Sequence, residues 1–285
     1  MKLRWMLVLS AAIKQTRRLT ILGAVIAILL AIATPATAIN WGWPDGGQHP
    51  NVGAIMAYYD DWGMWLPFCS GTLIHERIFL TAGHCTCGEI PENIRVSFHE
   101  DPTTLDENQL LKVEAVITHP QYNAWRPRSN NYDVGALILE DPVSGIVPAT
   151  VADIGFLDEL REEGLLRQGK EEAYFTVVGY GGTLIWPPPG ILWEDKRKFA
   201  FSEYQALLKS WLLLSQNVAT DEDIGGSCYG DSGGPAFWED SQDGDILVAI
   251  TSWGDVPTVA TGILYRADTA DTHDLIALAE EWLEQ

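Results

Sequence analysis

The sequence predicts an all-β protein, built as one large β unit or as two small barrels sharing an interface, and closed by a C-terminal helix. Short apolar or alternating runs, bounded by glycine, proline and aspartate turns, recur from Val52 to Ser252. With a leader of residues 1–38 set aside, about 247 of the 285 residues remain, ample for a core of that kind. After Asp268 the apolar period changes to that of a helix.

Residues 1–38 carry Lys2, Arg4, Lys14, Arg17 and Arg18 but no acid, then an apolar run from Leu19 to Ala33 and the small-residue site Ala36-Thr-Ala38. This is the layout of a secretory signal peptide with a long charged region. A membrane anchor is the rival, because Leu19 to Ala38 is about long enough to cross a bilayer. Gly23, Thr34, Pro35 and Thr37 weaken the end of that span and favour cleavage after Ala38. The mature domain, 39–285, is then expected in the medium or the periplasm, with no stable membrane association.

Strands are expected at Val52–Tyr58, Phe68–Leu73, Ile78–Leu80, Leu111–Ile117, Val134–Leu139, Phe175–Val178, Ala236–Trp238 and Ile246–Ser252. Phe156 to Gly169 reads as a short amphipathic helix and Trp186-Pro-Pro-Pro-Gly190 as a rigid surface turn, both inserted between strands. In the closing helix Leu275, Ile276, Ala279, Trp282 and Leu283 share one face, with acids on the other.

The whole chain has a formal net charge of −21; the leader holds five of its 18 basic residues and none of its 39 acids, so the mature chain stands at about −26. Such a surface argues against nucleic acid or anionic membrane as a partner. The acidic stretch Glu100-Asp-Pro-Thr-Thr-Leu-Asp-Glu107 could hold calcium, but it lacks a ligand spacing, and a solvated loop is the preferred reading.

The chemistry centres on Gly225-Gly-Ser-Cys-Tyr-Gly-Asp-Ser-Gly-Gly-Pro235, where glycines let the backbone turn sharply around Ser232. A serine hydroxyl needs a base and a group to orient that base. Thr81-Ala-Gly-His-Cys85 offers His84, and Asn131-Tyr-Asp-Val-Gly-Ala-Leu-Ile-Leu139 offers Asp133 ahead of an apolar strand. Taken singly, His84 is an ordinary structural histidine and Asp133 a turn residue. His49, His75, His99, His119 and His273 have no motif that pairs them with a nucleophile and read as structural or exposed.

In the order His, Asp, Ser, the three blocks together resemble the secreted chymotrypsin/trypsin-like serine proteases. Val178-Gly-Tyr-Gly181, Thr251-Ser-Trp-Gly254 and Gly262-Ile-Leu-Tyr-Arg266 extend the resemblance over the chain after the leader. Ile39-Asn-Trp-Gly-Trp-Pro-Asp-Gly46 is similar to the mature start of bacterial members. The resemblance implies two antiparallel six-stranded β-barrels, the chymotrypsin-like double barrel, with His84 and Asp133 from the first and Ser232 from the second. It also implies a monomeric serine endopeptidase acting on proteins or peptides through an acyl-enzyme, without a cofactor or metal.

By the same resemblance the backbone N–H groups of Gly230 and Ser232 form the oxyanion hole. Asp231 pairs with the α-ammonium of Ile39 once the chain is cut after Ala38. Cys69 and Cys85 form a disulfide beside His84, whereas Cys87 and Cys228 either pair with each other or stay reduced, since no cysteine follows Trp253. Gly226, followed by Ser227, stands where an acid would select Arg or Lys. Gly254 and Gly262 are small where the pocket opens, and Ser252, Trp253 and Gly254 pair with the substrate backbone. A large apolar residue is thus expected before the cut bond, unless Asp223 or Asp255 reaches the rim. A protease-fold binding protein and an esterase are the alternatives; the intact motif set disfavours the first, and a serine that comes last in chain order excludes the α/β-hydrolase kind of the second.

Overall fold

Two rings of six antiparallel strands organise the chain. The computed structural model describes residues 39–126, 129–169, 173–185, 190–216, 224–240, 244–255 and 260–285; the leader and residues 186–189 of the proline turn lie outside them. A short β1 (Trp43–Pro44) precedes the first ring. That ring is made of β2 (Val52–Tyr59), β3 (Met64–His75), β4 (Ile78–Thr81), β5 (Ile94–Ser97), β6 (Leu111–Thr118) and β7 (Gly135–Leu139), with the single turn α1 (Gly83–Thr86) after β4. The strands close in the order β2-β3-β4-β7-β6-β5. Every residue of β4 and β7 is buried, which is why Ile78–Leu80 and β7 read as unbroken apolar runs.

The linking stretch carries β8 (Thr150–Val151) and α2 (Phe156–Glu162). The second ring contains β9 (Tyr174–Gly179), then, after the hairpin β10 (Thr183–Ile185) and β11 (Gly190–Leu192), β12 (Lys198–Leu207), β13 (Trp211–Ser215), β14 (Pro235–Asp240), β15 (Gly244–Gly254) and β16 (Thr261–Arg266). Its order is β12-β13-β16-β15-β14-β9, and β9 pairs back onto β12 to close it. β1 lies on β12 in antiparallel register, and β8 joins β15 in parallel. The closing α3 (Ala270–Leu283) packs Leu275 and Ala279 into the core cluster of the first ring. Its start is capped by Thr269, whose hydroxyl accepts the Thr272 N–H.

Each of the eight expected strands is present, most of them longer by a few residues. The inserted helix ends at Glu162 rather than Gly169, because Gly164 turns left-handed at φ +76° and the Leu165 N–H closes back on the Leu160 carbonyl at 2.9 Å. Of the twelve ring strands, four, β5, β12, β13 and β16, do not follow from the strand signals. β12 buries alternate residues, but those include Lys198 and Ser202, so its inward face does not read as apolar.

A buried ion pair ties the rings. Arg197, at the head of β12, donates from Nε to Asp45 at 2.9 Å and from Nη1 to the carbonyls of Val52 (3.1 Å) and Phe98 (2.8 Å) on the first ring. His49 Nδ1 lies 2.5 Å from the other Asp45 oxygen. Burial pushes the Asp45 carboxyl up, but His49 and Arg197 outweigh it and bring it down to about 2. A depressed folded value stabilises the fold above the ordinary carboxylate pKa, and that contribution is lost as the pH falls through about 2. Arg197→Met strands the Asp45 charge and is expected to cost about 3–5 kcal/mol in urea unfolding, with much of the loss recovered in the Asp45→Leu/Arg197→Met pair.

Candidate active site

His84 sits on α1, directly after β4, where the turn is held between the rings. Its main-chain N–H donates to Asp133 Oδ1 at 2.8 Å, and its Nδ1 lies 3.0 Å from Asp133 Oδ2. Asp133, at the head of β7, is 2 % exposed. A third donor reaches it from the second ring: the Ser252 hydroxyl bonds Oδ2. Burial raises the Asp133 carboxyl, yet the hydrogen bonds and charge of His84, with Ser252, hold it below its ordinary value, so it is ionised at neutral pH.

The Ser252 contact is a consequence of register. β15 and β16 pair Thr251 with Leu264 and Trp253 with Ile263, so Ser252 is the extra residue of a β-bulge. Bulges re-aim a side chain, and this one turns the hydroxyl inward to Asp133 while Trp253 faces the cleft. The expected role of Ser252 in backbone pairing missed this contact.

Cys69 and Cys85 are joined, with an S–S distance of 1.99 Å, and Cys87 (exposed) and Cys228 (buried) remain thiols. Cys69, His84 and Cys85 bring three potential metal donors within 4.8 Å of one another, but the sulfurs are spent on each other. The group instead joins the His84 turn to the Ser232 turn: Cys85 Sγ contacts the Ser232 carbonyl oxygen at 3.6 Å, with no S–H to donate. In the acidic loop, Asp101 pairs with Lys196 at 3.2 Å and Glu107 with Arg95 at 3.1 Å.

Ser232 stands on a turn seized by both rings. Its carbonyl accepts the Ser70 N–H at 2.7 Å, and the next N–H, of Gly233, donates to Thr251 at 2.7 Å. A Cβ at Gly233 would come within 2.0 Å of Thr81 Oγ1, and its φ is +84°. Only glycine fits.

The orientation of two peptide planes follows from their carbonyls. The Tyr229 carbonyl accepts from Gly182 N–H and the Asp231 carbonyl from Gly234 N–H, both at 2.9 Å. In a planar trans peptide the N–H points opposite to the C=O. The N–H groups of Gly230 and Ser232 therefore face away from these anchors, and neither finds an acceptor among the described residues. Ser70 secures the same turn, accepting the Tyr180 N–H and donating to the Gly230 carbonyl, each at 3.0 Å. Gly230, at φ +95°, has no room for a side chain between Gly181 and the Trp193 ring.

Asp231 is buried and accepts the N–H groups of Gly181 and Cys228, both at 2.7 Å. Burial is the dominant influence and pushes its carboxyl up to about 7. Ile39 is fully buried in the second ring, and Asn40 exchanges two backbone hydrogen bonds with Gly226, at 2.9 and 3.1 Å.

A pocket of about 270 Å³ opens beside Ser232, between Ser227–Tyr229 on one side and Trp253–Asp255 on the other. Trp253 both walls the pocket and packs edge-on against Trp211, at 6.4 Å between ring centroids. Of the two glycines expected to leave the pocket open, Gly254 lines it, while Gly262, like Gly226, packs against Gln216, which the motifs did not mark.

A double six-stranded barrel with a serine in its cleft defines the class, a chymotrypsin-like serine hydrolase. The family model described as Trypsin matches residues 54–272, and the chain belongs to that family as a serine-type endopeptidase. It is 28 % identical over 201 residues to a trypsin of Saccharopolyspora erythraea, covering 66 % of this chain and 76 % of that one. It is 28 % identical over 240 residues to a trypsin of Simulium vittatum, covering 79 % and 87 %. Hypodermin-A of Hypoderma lineatum matches at 25 % over 202 residues, 66 % and 68 %. These matches do not single out the bacterial type.

Ser252→Ala removes a hydrogen bond to a buried charge and is expected to cost about 1.5–3 kcal/mol of stability in urea. The same variant should react more slowly with a fluorophosphonate than the native protein, because Asp133 loses one of the donors that fix it under His84.

Proposed function

We propose that the chain is a secreted endopeptidase in which Ser232 attacks the substrate carbonyl while His84 accepts its proton and later returns it to the leaving amine. The observation that carries this reading is the His84–Asp133 pair, donor to carboxylate at 3.0 Å, on a turn whose Cys85 sulfur touches the Ser232 carbonyl at 3.6 Å. Asp133 holds the imidazole in one tautomer and stabilises its charged form. Negative charge on the tetrahedral intermediate meets the N–H groups of Gly230 and Ser232, each worth about 3–4 kcal/mol in sites of this kind. The acyl group then passes to water. No cofactor enters the scheme, and the substrates are proteins or peptides taken up by a monomer outside the cytoplasm.

Residues 1–38 act as the signal peptide, and their removal supplies the α-ammonium of Ile39 to Asp231. Three features support that step. Ile39 is fully buried, Asn40 is stitched to Gly226 five residues before Asp231, and the Asp231 carboxyl is buried in a setting that raises it. Ile39 also has φ +54°, a strained value for a β-branched residue. That dihedral ceases to exist when the Ala38 carbonyl is gone.

Fluorophosphonate labelling of the secreted protein beside its Ser232→Ala variant, followed by digestion of an unfolded protein, tests the chemistry. Labelling and cutting should both vanish in the variant; a folded protein that starts at Ile39 and never labels would point to a binding module instead. Labelling with ester turnover but no peptide cuts would point to an esterase.

The pH dependence of stability tests the pairing. A raised folded value means that the uncut chain holds its proton longer than the unfolded chain does, so it loses stability as the pH rises from about 4 to about 7. In the Ser232→Ala background, urea midpoints of the uncut chain should fall across that window, while those of the chain cut to Ile39 should stay level. Identical profiles would rule the pairing out.

A further inference from the structure

We infer that Gln216 plugs the primary specificity pocket and restricts the residue before the cut bond to short side chains, of alanine to valine size. This deepens the endopeptidase reading and rests on it. Gln216 packs against both Gly226 and Gly262, directly behind Ser227 in the pocket wall. A Cβ on Gly226 would lie 2.3 Å from Gln216 Cγ, and one on Gly262 would lie 2.6 Å from Gln216 Nε2. The volume that the glycines spare is therefore already occupied by this chain.

The plug is fixed rather than a mobile flap. Gln216 follows β13, and its N–H donates to the Ala260 carbonyl at 3.0 Å, extending the β13–β16 pairing. Its Nε2 donates to Ser227 twice, to the carbonyl at 3.2 Å and to the hydroxyl at 3.0 Å. The residue is 2 % exposed. Ser227, which lines the open pocket, is thus backed directly by the carboxamide.

The carboxamide is not optimal for stability. Its Oε1 is buried with no hydrogen-bond partner among the described residues, an arrangement that is normally unfavourable. A leucine of similar volume would fill the same space without the stranded acceptor, so Gln216→Leu separates the steric role of the side chain from its polarity.

The test uses the mature protein and its Gln216→Ala and Gln216→Leu variants on peptide anilides that differ only in the residue before the bond: Ala, Val, Leu, Phe and Lys. The native protein should favour Ala and Val over Phe by about tenfold or more in kcat/KM. Gln216→Ala should raise Phe and Leu by about tenfold while moving Ala by less than about threefold. Gln216→Leu should keep the native order. A native preference for Phe or Lys over Ala would overturn the proposal, as would an unchanged Phe-to-Ala ratio in a folded Gln216→Ala protein that still labels at Ser232. If no form labels or cuts any anilide, the endopeptidase reading fails, and the plug's role in specificity fails with it.

Discussion

A carboxylate that is 2 % exposed must find its solvation inside the protein, and Asp133 finds it from both rings at once. The His84 N–H and imidazole come from the turn after β4, while the Ser252 hydroxyl comes from the bulge in β15. Neither ring can shift along the interface without stranding part of that charge. The same seam carries the Ser70–Ser232 and Gly233–Thr251 hydrogen bonds, so the nucleophile's turn is clamped by the elements that solvate the acid. Cleft geometry is in this sense a by-product of keeping one buried charge satisfied.

Asp231 is the opposite case, one residue before the nucleophile. It has two backbone donors but no ion-paired cation among the described residues, and burial wins, lifting it to about 7 where Asp133 is lowered. Lys198 exerts a weaker pull on it from the buried face of β12, but its Nζ is engaged at 2.5 Å by Glu194. Environment thus sets two nearby acids apart: one is held charged beside His84, and in the proposed scheme the other receives its cation when an amine is brought to it.

The residues proposed to carry the chemistry were legible because each lies in a short contiguous block: His84, Asp133, Gly230, Asp231 and Ser232 all fall in turns or at the heads of strands. Strands buried on both sides were legible too, since Ile78–Leu80 of β4 and the whole of β7 are apolar. What could not be read depends on contacts between blocks. Lys198 and Ser202 face inward on β12 because ion pairing with Glu194 and a hydrogen bond to the Gly225 carbonyl satisfy them there, and no local period reveals that. The Ser252 hydroxyl turns to Asp133 only through a register slip against β16. Gln216 is equally silent, because its importance lies in two glycines that are 10 and 46 positions away.

The pocket wall illustrates how one such contact can stand in for another. Cys228 has no cysteine after Trp253 to bridge to, which left the stiffness of the segment 226–228 open at the level of sequence. In the folded chain that segment is braced on successive residues: Asn40 pairs with Gly226, the Gln216 carboxamide holds Ser227, and Asp231 accepts the Cys228 N–H. Such hydrogen bonds are individually weak beside a covalent bridge, about 1 kcal/mol each for neutral partners, but they act on adjacent residues and from three different directions. The brace and the plug are then one device. The side chain that replaces part of the missing covalent restraint must reach under Ser227 to do so, and in reaching there it takes the floor of the pocket.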